Sequence, residues 1–424
     1  MNSLPLSVDY TTPVPSLPEN AIKYSVALQP VNGSSFQSGG TQIIFQLPTR
    51  GYLIPDSMYL RYKNTITCSA ATAVYMLGTP CYTPFQRLET QFGSVTVDSI
   101  NNYNQVANIL TNCTFDVAQK YGMQSAFGYI GTTGVPTLEE LDGRYIASAG
   151  GDVGTYSCPL PCLLTNITDK LLPLFAMPTI SMVLTLDALS NQFSSNIVTG
   201  STLSNVELCF DFIELGSEVD AMVRGMGPKV YIKSQSFSNS SVTLGSGVSG
   251  SQAIVFNQRY ASVKAAIVSF SSGAGYGSNQ SFEALDITQS QGEYSITIGS
   301  VQYPQKPLSA VNNKSGVLQE LRRCIGSIYD KTNAMAINTG EFGIIDASVF
   351  NTGYNAPGKF YLGFNLQKLH SNALLTGIST NNANISVNVN MPTATNKAHP
   401  ANLLLIYDAL IEIDLLTRQS SVKV

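Results

Sequence analysis

Apolar and polar positions alternate along most of this chain in short runs, and clusters of Gly, Pro, Asn and Ser separate one run from the next. In "NISVNVNM" (384–391), Ile385, Val387 and Val389 alternate with Ser386, Asn388 and Asn390. A period of two gives a strand one apolar face and one wet face. The same reading predicts strands at "TQIIFQLP" (41–48), "SMYLRYKNTITCS" (57–69), "SVTVDSI" (94–100) and "ISMVLTLDAL" (180–189). Further strands are predicted at "SQAIVFNQRY" (251–260), "SVKAAIVSFSS" (262–272), "EYSITIGSVQY" (293–303) and "KFYLGFNLQ" (359–367). Helical periodicity is scarce. "SGVLQELRRCIGSIYD" (315–330) carries Val317, Leu318, Leu321, Ile325 and Ile328 at helical spacing. "NNYNQVANILTNC" (101–113) is helix-like, and "TLEELDGRY" (137–145) opens with a capping-box pattern from Thr137 to Glu140.

Several of these elements occur twice. "NVELCFDFIEL" (205–215) aligns with "NLLLIYDALIEID" (402–414): Asn205 falls on Asn402, Leu208 on Leu405 and Asp211 on Asp408. "GTQIIF" (40–45) has a counterpart in "GSQAIVF" (250–256), and "FGSVTV" (92–97) in "IGSVQY" (298–303). Gln42 to Gln252 is 210 residues, Gly93 to Gly299 is 206, and Asn205 to Asn402 is 197. A helix-like stretch follows the second landmark in both halves. Landmarks in one order, at offsets that drift as loop lengths would make them drift, mark two copies of one β-domain.

A chain of 424 residues is long for one ordinary core. An all-β unit that buries one face of each sheet closes into a sandwich or barrel, and eight strands with long crossovers favour a jelly roll over a meander. The sequence therefore predicts an all-β protein of two tandem eight-stranded jelly rolls with short helices and long loops. The expected division is an extended N-terminal arm over 1–25, a first jelly roll over 26–217, a linker over 218–231, a second jelly roll over 232–415 and a C-terminal tail over 416–424. Gly225, Gly227 and Pro228 break any continuous element at the joint.

Composition narrows the class of function. Charged residues are 12%, roughly half the usual share of about 25%. A surface that is polar but hardly ionic suits a protein covered by copies of itself, and equally a secreted β-protein. A net charge of −4 excludes general electrostatic attraction to nucleic acid. The segment 1–20 carries Asp9 and Glu19 and no Lys or Arg, so it is no genome-binding arm. Pro5, Pro13, Pro15 and Pro18 favour an extended conformation there, and the segment lacks the basic end and apolar core of a signal peptide. "LLPLFAMPTISMVLTL" (171–186) contains two prolines and is too short to span a bilayer. The chain is read as soluble and made without secretion, against which the sequons at Asn32, Asn112, Asn166, Asn239, Asn279, Asn313 and Asn384 argue mildly. Twenty-one Tyr and no Trp suit half-buried interface positions.

Candidate chemistry is sparse. Seven cysteines (68, 81, 113, 158, 162, 209 and 324) do not form the framework of a small secreted domain, and Cys209 reads as a buried hydrophobe. "CPLPC" (158–162) offers Cys158 and Cys162 to a metal or a disulfide, but no second Cys or His pair stands nearby. "GSGVSG" (245–250) fits a dinucleotide fingerprint, yet a strand pattern follows where a helix is needed, so it reads as a loop. His370 and His399, the only histidines, are expected in loops or at the surface and cannot supply a metal jelly roll or a catalytic triad. Glu139 and Glu140 suit a helix start, and Arg322/Arg323 either pair across an interface or face solvent. No catalytic, cofactor-binding or metal-binding residue is expected, no cofactor is implied, and the chain is not expected to be an enzyme.

The ensemble resembles the double jelly-roll major capsid proteins, the lineage of tectiviruses, adenovirus hexons, virophages and Polinton-like viruses. The resemblance is carried by "FQSGGTQIIFQLP" with "YLIPDSMYLRYK", by "GSV" before a short helix in both halves, by "LLPLFAMPTISMVLTL", and by "FYLGFNLQKLHSNALLTGIST" with "NLLLIYDALIEIDLL", and it spans about residues 25–415. It implies a structural virion protein: a homotrimer whose six jelly rolls form a pseudo-hexameric capsomer of an icosahedral shell. Its partners would be itself, neighbouring capsomers, and penton and minor capsid proteins, with no direct sequence-specific nucleic-acid binding. Outward towers are expected from 114–165 and 329–358, and the arm at 1–22 would lash subunits together. Some relatives face an internal membrane with a basic or amphipathic N-terminus; this chain lacks one, which argues against direct membrane contact. The competing readings are a secreted lectin-like or adhesin β-sandwich and a β-sandwich glycoside hydrolase, and neither accounts for two copies of similar length.

Overall fold

The computed structural model describes residues 20–69, 74–128, 143–146, 152–167, 170–193, 196–271, 284–288, 290–311, 313–326, 358–369, 375–395 and 398–424, together with Pro18, Phe282, Met335, Ile337 and Phe342. Eight principal strands, besides shorter ones, build the first half: β1 (Ile22–Leu28), β2 (Gln42–Gln46), β3 (Tyr59–Cys68), β4 (Phe85–Phe92), β5 (Val95–Asn101), β6 (Asp152–Pro159), β7 (Ile180–Leu186) and β8 (Val198–Glu214). Eight more build the second: β9 (Lys229–Leu244), β10 (Gly250–Phe256), β11 (Val263–Phe270), β12 (Glu293–Ile298), β13 (Val301–Ser309), β14 (Leu362–Asn365), β15 (Ile385–Met391) and β16 (His399–Asp414). Helix α1 (Tyr103–Thr114) follows β5, α2 (Ser217–Gly225) joins the halves, and α3 (Lys314–Ile325) follows β13.

In the first half β8 pairs with β1 and β3, and β3 with β6; the facing sheet runs β2–β7–β4–β5. In the second half the orders are β9–β16–β11–β14 and β10–β15–β12–β13. Adding eight to every strand number of the first half reproduces the second. All of these pairs are antiparallel. Each half is therefore a jelly roll, in which strands distant in sequence lie side by side and two sheets close over a core; the short strands Ser35–Gln37, Tyr52–Leu53 and Leu172–Pro173 widen one sheet of the first half to seven, and Ser420–Lys423 one sheet of the second to five. The helices α1 and α3 occupy the same place in the two copies and are 12 residues long in both.

Detail confirms the duplication. Two-residue hairpins, Gly93-Ser94 and Gly299-Ser300, connect β4 to β5 and β12 to β13. Their glycines have φ of +63° and +62°, the conformation that a turn matched to strand twist demands at this position. The repeated aspartates also agree. Asp211 on β8 lies opposite Ser25 on β1, and Asp408 on β16 lies opposite Gln235 on β9. A lysine two residues earlier on the same outer strand approaches the carboxylate in each case: Lys23 Nζ at 2.6 Å and Lys233 Nζ at 3.5 Å.

The central strands explain the two most apolar segments. β16 lies between β9 and β11, and fourteen of its sixteen residues are buried. Its core includes Leu403, Leu404, Leu405, Ala409, Ile411 and Ile413, all fully buried. β8 alternates more, because the outer face of its sheet is partly open.

The ends of the jelly rolls differ in detail from the expected division. β1 starts at Ile22, inside the stretch assigned to the arm, where exposed and half-buried residues alternate without an apolar run. α2 and the first residues of β9 occupy the expected linker, and a short strand Ser420–Lys423 in the expected tail pairs with β16. The arm at 1–17 and most of the tower candidate 329–358 lie outside the described residues. The tower candidate 114–165 contains α-helical turns at Val117–Gly122 and Gln124–Phe127 and a strand, Gly143–Ile146, paired with Val74–Leu77. The capping-box stretch Thr137–Glu140, with Glu139 and Glu140, lies outside the described residues.

Because both hairpin glycines sit in the left-handed region, Gly93→Ala and Gly299→Ala should each lower the unfolding free energy by about 1 kcal/mol. Equal losses in chemical denaturation, within experimental error, are the expected outcome for two copies of one turn.

Candidate assembly surfaces

The two jelly rolls meet along a seam at which an apolar core shared by both halves is joined by a line of directed polar contacts. At its centre is Asp98 on β5, 6% exposed. Ser236 on β9 places its Oγ 2.8 and 2.7 Å from the two carboxylate oxygens, and the Tyr407 hydroxyl on β16 donates to Oδ1 at 3.2 Å. Tyr260 stacks on Tyr407 with centroids 4.0 Å apart. Burial raises the Asp98 pKa, opposed by these hydroxyls and by backbone hydrogen bonds at Leu163 and Ser99. Burial also raises the Tyr407 pKa, and the Asp98 charge adds to it.

Around this centre the first jelly roll reaches along β9. Ser234 Oγ donates to the Leu163 carbonyl. Asn166 Nδ2 donates to the Gln235 carbonyl at 3.0 Å, and Lys170 Nζ to the Tyr231 carbonyl at 3.0 Å. Asn239 Nδ2 donates to Gln105 Oε1 on α1 at 3.4 Å. Farther along α1, Asn112 accepts through Oδ1 from buried Lys120, in the next helical turn, at 2.7 Å while its Nδ2 donates to the Tyr361 hydroxyl at 3.3 Å. The linking helix is tied to the first half, where the Tyr52 hydroxyl donates to Asp220 at 2.9 Å and Arg224 lies over the Phe175 ring.

Few residues singled out in the sequence take part. Cys158 and Cys162 are buried free thiols, as are Cys81, Cys113, Cys209 and Cys324. Cys158 Sγ points to the Cys81 carbonyl at 3.7 Å, and the Thr165 hydroxyl meets Cys162 Sγ at 3.6 Å. Burial raises the Cys162 and Cys81 thiol pKa values. Among the described residues no group of three or more His, Cys, Asp and Glu could hold a metal ion. His399 departs from expectation: it is fully buried at the start of β16, with Nδ1 3.0 Å from the Ser271 carbonyl. A strand that is buried almost throughout carries its first residue inside with it. His370 lies outside the described residues. Gly245–Gly250 is the turn from β9 into strand β10. Arg323 pairs with Glu320 on the exposed face of α3 at 2.7 Å. No helix among the described residues is long and apolar enough to cross a membrane.

Asp98, Ser236 and Tyr407 were not singled out from the sequence. The available signal was a lone acid inside the strand pattern "SVTVDSI", which on its own reads as a solvent-facing position.

No family model matches the sequence, and no curated protein is a significant match to it. Solved structures are similar over nearly the whole chain. The VP54 protein of PBCV-1, whose crystal structure was fitted into a reconstruction of the virophage Sputnik, superposes with a TM-score of 0.64 at 11% identity, covering 97% of this chain and 99% of that one. The Faustovirus major capsid protein gives 0.64 at 8% identity, covering 96% and 92%. The mavirus major capsid protein gives 0.54 at 12% identity, covering 100% and 95%.

Asp98→Ala should remove the acceptor shared by two buried hydroxyls and lower stability by about 2–4 kcal/mol, with Asp98→Asn milder. With its pKa raised in the folded state, Asp98 binds a proton more tightly folded than unfolded, so its contribution to stability grows as pH falls through that raised value toward the usual carboxylate range. Urea titrations should therefore show the wild type gaining on Asp98→Asn between pH 7 and pH 4. At identities of 8–12%, what the chain shares with these solved proteins is architecture, and that architecture is the double jelly roll of viral major capsid proteins.

Proposed function

We propose that this chain is the major capsid protein of an icosahedral virus, assembling as a homotrimer whose six jelly rolls form a pseudo-hexameric capsomer. The observation that carries the reading is the strand-for-strand identity of two jelly rolls fixed side by side by a buried seam. Three such chains around a threefold axis present six nearly equivalent bodies, so one block meets its neighbours through repeated contacts. The similar structures include the PBCV-1 virus capsid and the Faustovirus and mavirus major capsid proteins, which supports it. Its partners are then other copies of itself, adjoining capsomers, and penton and minor capsid proteins; the work is structural rather than enzymatic. The arm at 1–25 is left to reach between subunits up to Ile22, where β1 pairs with β8, while the tail at 416–424 returns to β16 through Ser420–Lys423, outside jelly rolls centred on 26–217 and 232–415.

Synthesis in the host cell without secretion is supported by the sequons. Asn112 and Asn239 are 3% and 6% exposed, and their amides donate across the seam to Tyr361 and Gln105. A glycan on either would break the joint, which counts against the secreted lectin-like or adhesin reading.

Light scattering of the purified chain should give about 136 kDa, three times the 45.4 kDa of one chain. A species that stays at the mass of one chain at micromolar concentration overturns the proposal.

A further inference from the structure

All the cysteines but Cys324 fall in the first jelly roll. Two of them, Cys81 and Cys158, are 77 residues apart in sequence and adjacent in space. Cys81 lies in the turn that leads into β4, and Cys158 lies on β6 opposite Leu60 of β3. Both side chains are fully buried. Cys158 Sγ stands 3.7 Å from the Cys81 carbonyl oxygen, and the Tyr62 hydroxyl donates to that same oxygen at 2.7 Å. One residue farther along both segments, the Tyr82 hydroxyl donates to the Pro159 carbonyl at 2.8 Å. Burial raises the Cys81 thiol pKa, and a hydrogen bond between the two thiols adds to it.

The spacing of "CPLPC" offers Cys162 as the partner of Cys158, but the fold aims Cys158 at Cys81 instead. Cys162 Sγ meets the Thr165 hydroxyl at 3.6 Å. The turn that carries Cys81 is already held in place. Asn108 Oδ1 on α1 accepts from the Thr79 backbone N–H at 3.0 Å and from its hydroxyl at 3.1 Å, and the Thr83 hydroxyl donates to the Leu77 carbonyl at 2.6 Å. A bond between two such fixed segments orders little that is not ordered beforehand.

We propose that Cys81 and Cys158 are an oxidation site, which a small disulfide such as glutathione disulfide converts into a bond stapling β6 to the turn before β4. One of the two thiols loses its proton and attacks a sulfur of glutathione disulfide, releasing one glutathione thiolate. The other, deprotonated in turn, displaces the second glutathione from the mixed disulfide. Two protein thiols are oxidised, one glutathione disulfide is reduced to two thiols, and the two protons end on the released glutathiones.

The bond leaves no backbone group of Cys81 without a partner, since its carbonyl keeps the Tyr62 hydroxyl and its N–H keeps the Phe127 carbonyl at 3.1 Å. Burial and the raised Cys81 pKa make the exchange slow, because the thiolate is the nucleophile and the segment must open to admit the oxidant. The same burial shields the finished bond from reductants. β6 runs on into the loop whose Leu163 and Asn166 bond to β9, so the staple also holds one side of the seam. The site is complete within one chain and is independent of how chains assemble.

The test treats the full-length reduced chain with glutathione disulfide at a urea concentration below its unfolding transition. The product is unfolded, labelled with a maleimide and mapped by peptide mass spectrometry without reductant. The expected result is a cross-linked peptide pair carrying Cys81 and Cys158, lighter by two hydrogens than the separate peptides, with Cys162 recovered as its maleimide adduct. The oxidised chain should unfold about 5 °C above the reduced one, because the bond closes a long loop. That difference should vanish in Cys158→Ala treated in the same way. A bond between Cys158 and Cys162, or Cys81 and Cys158 both recovered as adducts, overturns the proposal. So does a cross-linked chain that unfolds at the temperature of the reduced one. Should Cys158→Ala fail to fold, the peptide map and the unfolding temperatures of the wild type decide alone.

Discussion

A carboxylate withdrawn from water and shared between hydroxyls of the other jelly roll is the constraint on which the rest of this molecule depends. Burying Asp98 costs desolvation energy that an apolar contact would not, and its raised pKa is the mark of that cost. What the hydrogen bonds supply in return is direction. An apolar seam between two barrels can slide with little penalty, whereas Asp98, Ser236 and Tyr407 meet in one arrangement only. The neighbouring bonds from Leu163, Asn166, Lys170 and Gln105 extend that arrangement along β9. The angle between the jelly rolls is thereby set within the chain, before any second chain arrives.

Duplication makes that angle useful. In the proposed trimer, two bodies of identical strand order held at one inclination would give three chains six similar places. The copies have diverged where their surroundings differ. β9 is long, continuous and serine-rich because it packs on a partner that is always present. β1 is short and interrupted, and none of its residues is buried. The same contrast appears in the central strands, where β16 is buried almost throughout and β8 alternates.

Much of this architecture was legible in the sequence for local reasons. Period-two alternation located strands in both halves and the spacing of Val317, Leu321 and Ile325 marked α3, whereas "EYSITIGSVQY" (293–303), expected as one strand, turns back at Gly299-Ser300 into β12 and β13. The repeated Asp211 and Asp408 fall at equivalent registers, as the alignment of their segments implies. What escaped was non-local. Asp98 finds its partners 138 and 309 residues away, and no pattern within a strand reveals whether a lone acid faces water or a hydroxyl. His399 escaped for a related reason, since its burial comes from Ser271 and the depth of β16 rather than from its neighbours in sequence. β1 was missed although Ile22, Tyr24, Val26 and Leu28 alternate with Lys23, Ser25 and Ala27, because the prolines just before it read as an extended arm.

The central claim is that the spacing within one chain is the spacing between chains. Cryo-electron microscopy of the isolated oligomer, reconstructed without imposed symmetry at a resolution that separates individual jelly rolls, measures it directly. The account predicts six lobes at nearly equal distances around the axis, with intrachain and interchain steps alike. Three well-separated pairs, or an open chain of lobes, would contradict it.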